Sequence, residues 1–171
     1  MLVLGKVAGS RAEGWALAER ALADGRALER MRLIVEAQGG NPAVLDDPVL
    51  LPQAPLRRVL EVDRVGYVTA VDARAIGEVA VALGAGRAAL GAAIDPAVGF
   101  HITAKPGDRV EAGDALATVY ARDLEGAERA LAVLRRAIRI GEEQATTLPL
   151  ISHRVTRDGV EEYAAAAYTP A

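Results

Sequence analysis

The chain has 171 residues, room for one medium domain or for one domain with part of another. Its 51% hydrophobic and 25% charged content describes a globular protein with a real core and excludes intrinsic disorder. A net charge of -3 leaves no basic footprint for nucleic acid, and the lack of cysteine excludes disulfides and thiolate metal sites.

The two histidines, His101 and His153, are too far apart to read as a metal-ligand pair, and Lys6 and Lys105 are the only lysines. The longest weakly polar stretch, Val79 to Ile94, is interrupted by Arg87 and three glycines and falls short of a spanning helix. The start, Met1 to Lys6, lacks a basic region before its short apolar run, so it is not read as a signal peptide. The expected location is cytoplasmic, with no membrane partner.

Taken in chain order, Met1 to Val7 is apolar from its first residue and reads as the end of a helix whose beginning is missing, an expectation of truncation. Ser10 and Glu13 have the spacing of a capping box, which predicts a helix to about Ala23, broken by Asp24-Gly25. A second helix is predicted over Arg26 to Gln38, with Leu28, Met31, Ile34 and Val35 at helical spacing and Gly39-Gly40 as its stop. These helices are expected to present an apolar face to a partner outside the chain. Asn41 to Pro55 is proline-rich and aperiodic, and reads as a linker.

Beyond it, Arg57 to Asp63 and Tyr67 to Val71 alternate as strands do, with a turn at Arg64-Val65-Gly66. Asp72 caps a predicted helix that ends at Gly84. Val98 to Ala104 and Ala115 to Ala121 read as strands around a Gly-rich turn region. Asp123 caps a helix predicted to reach about Arg139, and Ser152 to Tyr163 reads as a hairpin turning at Asp158-Gly159. No repeat is evident. The class expected is α+β.

Few residues suggest chemistry. Leu83-Gly84-Ala85-Gly86-Arg87 has the composition of an anion cradle, but its glycines follow a helix where phosphate-binding loops precede one, so a helix C-cap with a tight turn is expected. Asp95, Asp108, Glu111 and Asp114 lack calcium-loop spacing and read as turn residues. His101 reads as a surface or satisfied histidine, Trp15 and Met31 as packing residues, and Ser10 and Ser152 have no partners that would make a nucleophile.

Lys105-Pro106-Gly107-Asp108-Arg109-Val110-Glu111-Ala112-Gly113-Asp114-Ala115-Leu116 carries more information, with two tight turns around one apolar knob, Val110. Lipoyl and biotinyl carrier domains use a similar pattern. Their modified lysine sits at a hairpin tip, whereas Lys105 lies in the opening turn, so the fold analogy is kept and the carrier function is not.

Gly66-Tyr67-Val68, Val71-Asp72-Ala73, Ile76-Gly77, Leu83 to Arg87, Ile94 to Gly99, Lys105 to Asp108, Val110, Gly113-Asp114 and Tyr120-Ala121 follow one another in a familiar order. That succession resembles the C-terminal domain of the pyrimidine nucleoside (thymidine) phosphorylases. Upstream, Gly25 to Met31 and Ala37 to Pro42 resemble the end of the same family's central nucleotide-binding domain. Asn41 stands there where Asp is usual, and Met31 where an aromatic residue is common. The resemblance fades after Glu162, where an Ala-rich tail begins.

The resemblance implies residues 1–40 as the helical end of the central domain, 41–56 as a linker, and 57–171 as a hammerhead-like C-terminal domain of lipoyl/biotinyl-like half-barrel type. It implies a pentosyltransferase of nucleoside salvage in which inorganic phosphate, the co-substrate, cleaves thymidine or uridine to free base and pentose 1-phosphate. The family's phosphate-, base- and cation-binding groups lie upstream, so no catalytic, cofactor-binding or metal residue is assigned and no cofactor is expected. The implied partners are the missing N-terminal part of the same enzyme and, for the full-length protein, its substrates and a second copy in a homodimer. A stand-alone lipoyl-like binding or scaffold module without catalysis is the alternative.

Overall fold

A computed structural model describes residues 1–147, 149 and 151–162. The chain divides into two compact units, Met1–Pro52 and Gln53–Ala171.

The first unit is helical. Helix α1 (Arg11–Ala23) starts where Ser10 Oγ accepts the Glu13 N–H at 3.2 Å, while the Glu13 carboxylate accepts the Gly9 N–H at 2.7 Å. That is the predicted box, displaced by one residue on its return bond. Helix α2 (Arg26–Ala37) closes with the Gly40 N–H on Val35 O and the Gly39 N–H on Glu36 O, Gly39 being left-handed at φ 78. This pair of bonds is a Schellman motif, which satisfies carbonyls that the helix end would otherwise orphan. Residues 1–7 carry the same motif after a single helical turn: Val7 N–H bonds Leu2 O, Lys6 N–H bonds Val3 O, and Lys6 takes φ 57. The structure gives these residues a turn and no helix, so the expected helix end is represented by this closing motif alone. The stretch read as linker contains two 3-10 turns, Pro42–Leu45 and Pro48–Leu50, capped by the side chains of Asn41 and Asp47.

The second unit is the predicted α+β region. Strand β1 (Leu56–Glu61) leads into β2 (Gly66–Val71), helix α3 (Ala73–Leu83), β3 (Gly99–Ile102) and the two-residue β4 (Arg109–Val110). Then come β5 (Ala115–Ala121), helix α4 (Leu124–Ala137), β6 (Ile138–Gly141) and the hairpin β7 (His153–Thr156) with β8 (Gly159–Glu162). Tyr163, expected to extend that hairpin, lies outside the described residues. Besides that hairpin, two three-stranded antiparallel sheets form among the described residues, ordered β1-β5-β3 and β4-β2-β6. Consecutive strands β1 and β2 thus belong to different sheets, and the turn between them carries the chain from one to the other. Val98–Ala104 and Ala115–Ala121, expected in one sheet, do pair there as β3 and β5.

One expectation is corrected. The last helix stops at Ala137, two residues before the predicted Arg139, and Ile138–Gly141 pairs with β2. The inward periodicity of Leu131, Leu134 and Ile138 fits a helix, yet Ile138-Arg139-Ile140 also alternates. Pairing with β2 decides for the strand.

The core lies between the sheets and the two helices, centred on Leu60, Val68, Val119, Leu131, Leu134 and Ile138. Burying each such aliphatic side chain contributes about 1.5–3 kcal/mol. Gly126, whose added Cβ would meet Leu83 Cδ2 at 3.2 Å, lets α4 approach α3 closely.

Candidate docking surfaces and the paired turns

The most distinctive local structure is the pair of turns around Val110. In the first, the Lys105 N–H donates to the Asp108 carboxylate at 2.8 Å and the Asp108 N–H returns to Lys105 O at 3.0 Å. In the second, Glu111 N–H and Asp114 make the same two bonds at 2.8 and 3.0 Å. Each turn has a left-handed glycine third, Gly107 at φ 96 and Gly113 at φ 92, a conformation that L side chains rarely adopt.

Each turn is also clasped by one valine backbone. Gly107 N–H bonds Val68 O and Val68 N–H bonds Asp108 O; Gly113 N–H bonds Val62 O and Val62 N–H bonds Asp114 O. The turns advance by six residues while their valine partners step back by six, so one clasp is repeated with the two segments running in opposite directions. Asp108 and Asp114 are thereby committed to turns, as expected, and Val110 between them is buried.

The other candidates also resolve into structural roles. The Arg122 guanidinium forks onto Asp95, Nε to Oδ2 at 2.6 Å and Nη2 to Oδ1 at 2.8 Å, and also donates to Gln53 O at 3.3 Å. Asp95 Oδ1 accepts the Ala97 N–H at 3.0 Å as well. The arginine first, then that backbone bond, hold the Asp95 carboxyl down at about 2. Glu111 pairs with Arg109 at 2.6 Å. His101 is exposed, opposite Thr118 of β5. Lys105 sits in a turn between β3 and β4, not at a hairpin tip. No group of three metal-ligating side chains occurs among the described residues.

The string Leu83 to Arg87 ends α3 as expected. Gly84 is left-handed at φ 106, and the Gly84 and Ala85 amides are spent on Val81 O and Ala80 O, so they do not point at a ligand. Gly86 has no positive φ; a Cβ there would meet Val81 Cγ2 at 2.7 Å, the close packing that makes glycine necessary.

A cleft of about 700 Å³ opens between the β1–β2 turn, the end of α4 and β6. Its floor includes Leu60 and Ile138, and its rim carries Glu61, Asp63, Arg64, Arg135 and Arg139. Both signs of charge line it, and no histidine or lysine does.

The exposed apolar surface lies chiefly in the first unit. No residue of α2 is buried; Leu28, Met31, Leu33 and Ile34 are all exposed, as are Trp15 and Leu22 of α1. Trp15 and Met31, read as packing residues, thus do not sit in a core of the described residues. These side chains are the candidate docking surface of the first unit.

Fold and surface together define a class: an α+β domain knit by paired Gly-Asp turns, preceded by helices with uncovered apolar faces. Residues 67–141 match the family model of the pyrimidine nucleoside phosphorylase C-terminal domain. The chain is 42% identical over 120 residues to a pyrimidine-nucleoside phosphorylase of Geobacillus stearothermophilus, covering 70% of this chain and 28% of that protein. To the pyrimidine-nucleoside phosphorylase of Bacillus subtilis (strain 168) it is 38% identical over 143 residues, 84% of this chain and 33% of the relative. The chain belongs to the pyrimidine nucleoside phosphorylase family as a C-terminal portion, and it spans about a third of the length of these curated relatives.

Proposed function

We propose that this chain is the C-terminal part of a pyrimidine nucleoside phosphorylase, an enzyme that uses inorganic phosphate to cleave thymidine or uridine to free base and pentose 1-phosphate. The observation that carries the reading is the family match over residues 67–141, which contains both Gly-Asp turns. In such a reaction positive charge builds on the sugar and negative charge on the departing base, so preorganised cations and hydrogen-bond donors must surround both. The polar groups of this chain are engaged otherwise: Asp95, Asp108 and Asp114 hold backbone or arginine, and the amides after α3 cap a helix. The phosphate- and base-binding groups belong, on this reading, to the upstream part of the longer enzyme. The C-terminal part builds one face of the body and moves with it as the cleft closes.

The finer architecture follows the same reading. Residues 1–40 are the end of the central nucleotide-binding domain, 41–56 a linker, and 57–171 a hammerhead-like half-barrel of lipoyl type, supported by the shared sheet of β3 and β5 and by the repeated turns. The full-length enzyme is a cytoplasmic homodimer without an organic cofactor.

The test is an assay of base release from thymidine and uridine with inorganic phosphate. The full-length protein carrying this chain gives free pyrimidine and pentose 1-phosphate, and the 171-residue chain alone gives none above the protein-free control. Turnover by the chain alone, abolished by substituting one of its own residues, would overturn the assignment.

A further inference from the structure

Residues 85–94, between α3 and β3, form a loop whose two ends are tied together and whose tip touches nothing. At the base, Asp95 N–H bonds Gly84 O at 2.9 Å, which closes the loop as an Ω-loop. The Arg122 fork grips Asp95 from β5's end, and Gly86 lies against Val81 of α3. At the tip, Ala92 N–H bonds Ala89 O at 3.1 Å with Gly91 left-handed at φ 81, a tight turn that pushes Leu90 outward. Leu90 is 102% exposed, Ile94 is exposed, and Arg87 makes no hydrogen bond or ion pair among the described residues.

This combination is unlike an ordinary surface loop. Loop tips are usually polar, because apolar groups there forgo burial. Here the stem is held by a bidentate ion pair, a backbone bond and a glycine contact, while the side chains at the tip are a leucine and alanines. A preorganised element of this kind loses little entropy on docking.

We propose that this loop is a docking element that seats Leu90 in an apolar pocket, beside a carboxylate for Arg87, on the upstream part of the same longer enzyme. The inference rests on the reading given under Proposed function. The occupant follows from length: the relatives extend over about three times the matched segment, so most of their surface lies outside this chain. The Asp95–Arg122 clamp is then the group that positions the loop, acting through its base and not by contact with substrate.

The experiment uses the full-length protein that carries the chain, with photo-reactive p-benzoylphenylalanine incorporated in place of Leu90. Irradiation followed by peptide mass spectrometry is expected to join position 90 to a peptide upstream of residue 1. A cross-link only to a second copy of residues 1–171, or none, overturns the proposal.

In parallel, Leu90→Asp is expected to lower kcat/KM of the full-length enzyme about tenfold or more, given the size of a leucine's burial. The unfolding midpoint of the 171-residue chain should not change, because Leu90 contacts nothing there. Arg122→Ala should lower kcat/KM in the same direction, whereas unchanged kinetics in both variants overturns the docking role. If the full-length protein shows no phosphorolysis at all, the functional reading fails. Phosphorolysis with no upstream cross-link sinks only the loop inference.

Discussion

The two units of this chain bury their residues very differently. In residues 1–52 only Ala8 and Gly14 are buried, while the second unit encloses a continuous core of valines, leucines and alanines around Leu134. Yet the first unit has no less regular helices: the N-cap of α1 is formed, the Schellman motifs are closed, and α2 places its apolar residues at helical spacing. Local rules make a helix; they do not give it anything to pack against. The second unit encloses its own core, whereas the first leaves most of its large apolar side chains exposed.

The contrast is sharpened most by substituting one leucine in each unit. Leu134 is 0% exposed, so Leu134→Ala should cost about 2–5 kcal/mol in urea unfolding of the 171-residue chain. Leu28→Ala, on the exposed face of α2, should stay within about 0.5 kcal/mol. A large cost at Leu28 in the isolated chain would mean that its face is already covered.

Within the second unit the paired turns allow a finer comparison. Gly113→Ala meets open space and reports only the strain of a left-handed alanine, roughly 1–2 kcal/mol. Gly107→Ala adds a contact of 2.6 Å between its Cβ and Thr147 Cγ2, and should be the more destabilising of the two. Equal effects, measured by chemical denaturation, would show that Thr147 yields freely.

The Asp95–Arg122 clamp supplies a pH test. The folded carboxyl sits at about 2, below its unfolded value near 3.8, so its contribution is fully present above the unfolded value. It is lost as pH falls from about 4 through about 2. Asp95→Asn should flatten the acid side of the stability profile in that window, and an unchanged slope would remove the clamp from the account. A small effect of the opposite sign belongs to the first unit: Lys6 is left-handed where the other two Schellman motifs have Gly39 and Gly84, so Lys6→Gly should stabilise by about 0.5–1 kcal/mol. A loss of stability in thermal melts would show that the Lys6 side chain matters more than its backbone.

Much of this was legible from the residues. Ser10, Asp72 and Asp123 mark three helix starts because a side-chain oxygen before a helical run has one evident use, and all three accept the N–H expected of a cap. The Gly-Asp spacing around Val110 foretold both turns. What stayed hidden depends on distant partners. Ile138–Gly141 is a strand because β2 lies alongside it, and β1 and β2 enter different sheets because β5 and β6 claim them. The valine clasps on the turns likewise join residues more than 35 apart. The candidate surfaces were legible in part: the apolar spacing on α2 was plain, while the Ω-loop needed Arg122 to be seen gripping Asp95 from β5's end.

The central claim is that the first unit's helices are built to be covered by the upstream part of a phosphorylase. Hydrogen exchange on α2, residues 26–37, tests it most directly, in the 171-residue chain alone and in the full-length enzyme. Fast exchange of α2 amides is expected in the chain alone and strong protection in the full-length protein, with α4 well protected in both. Equal, strong protection of α2 in both forms would contradict it.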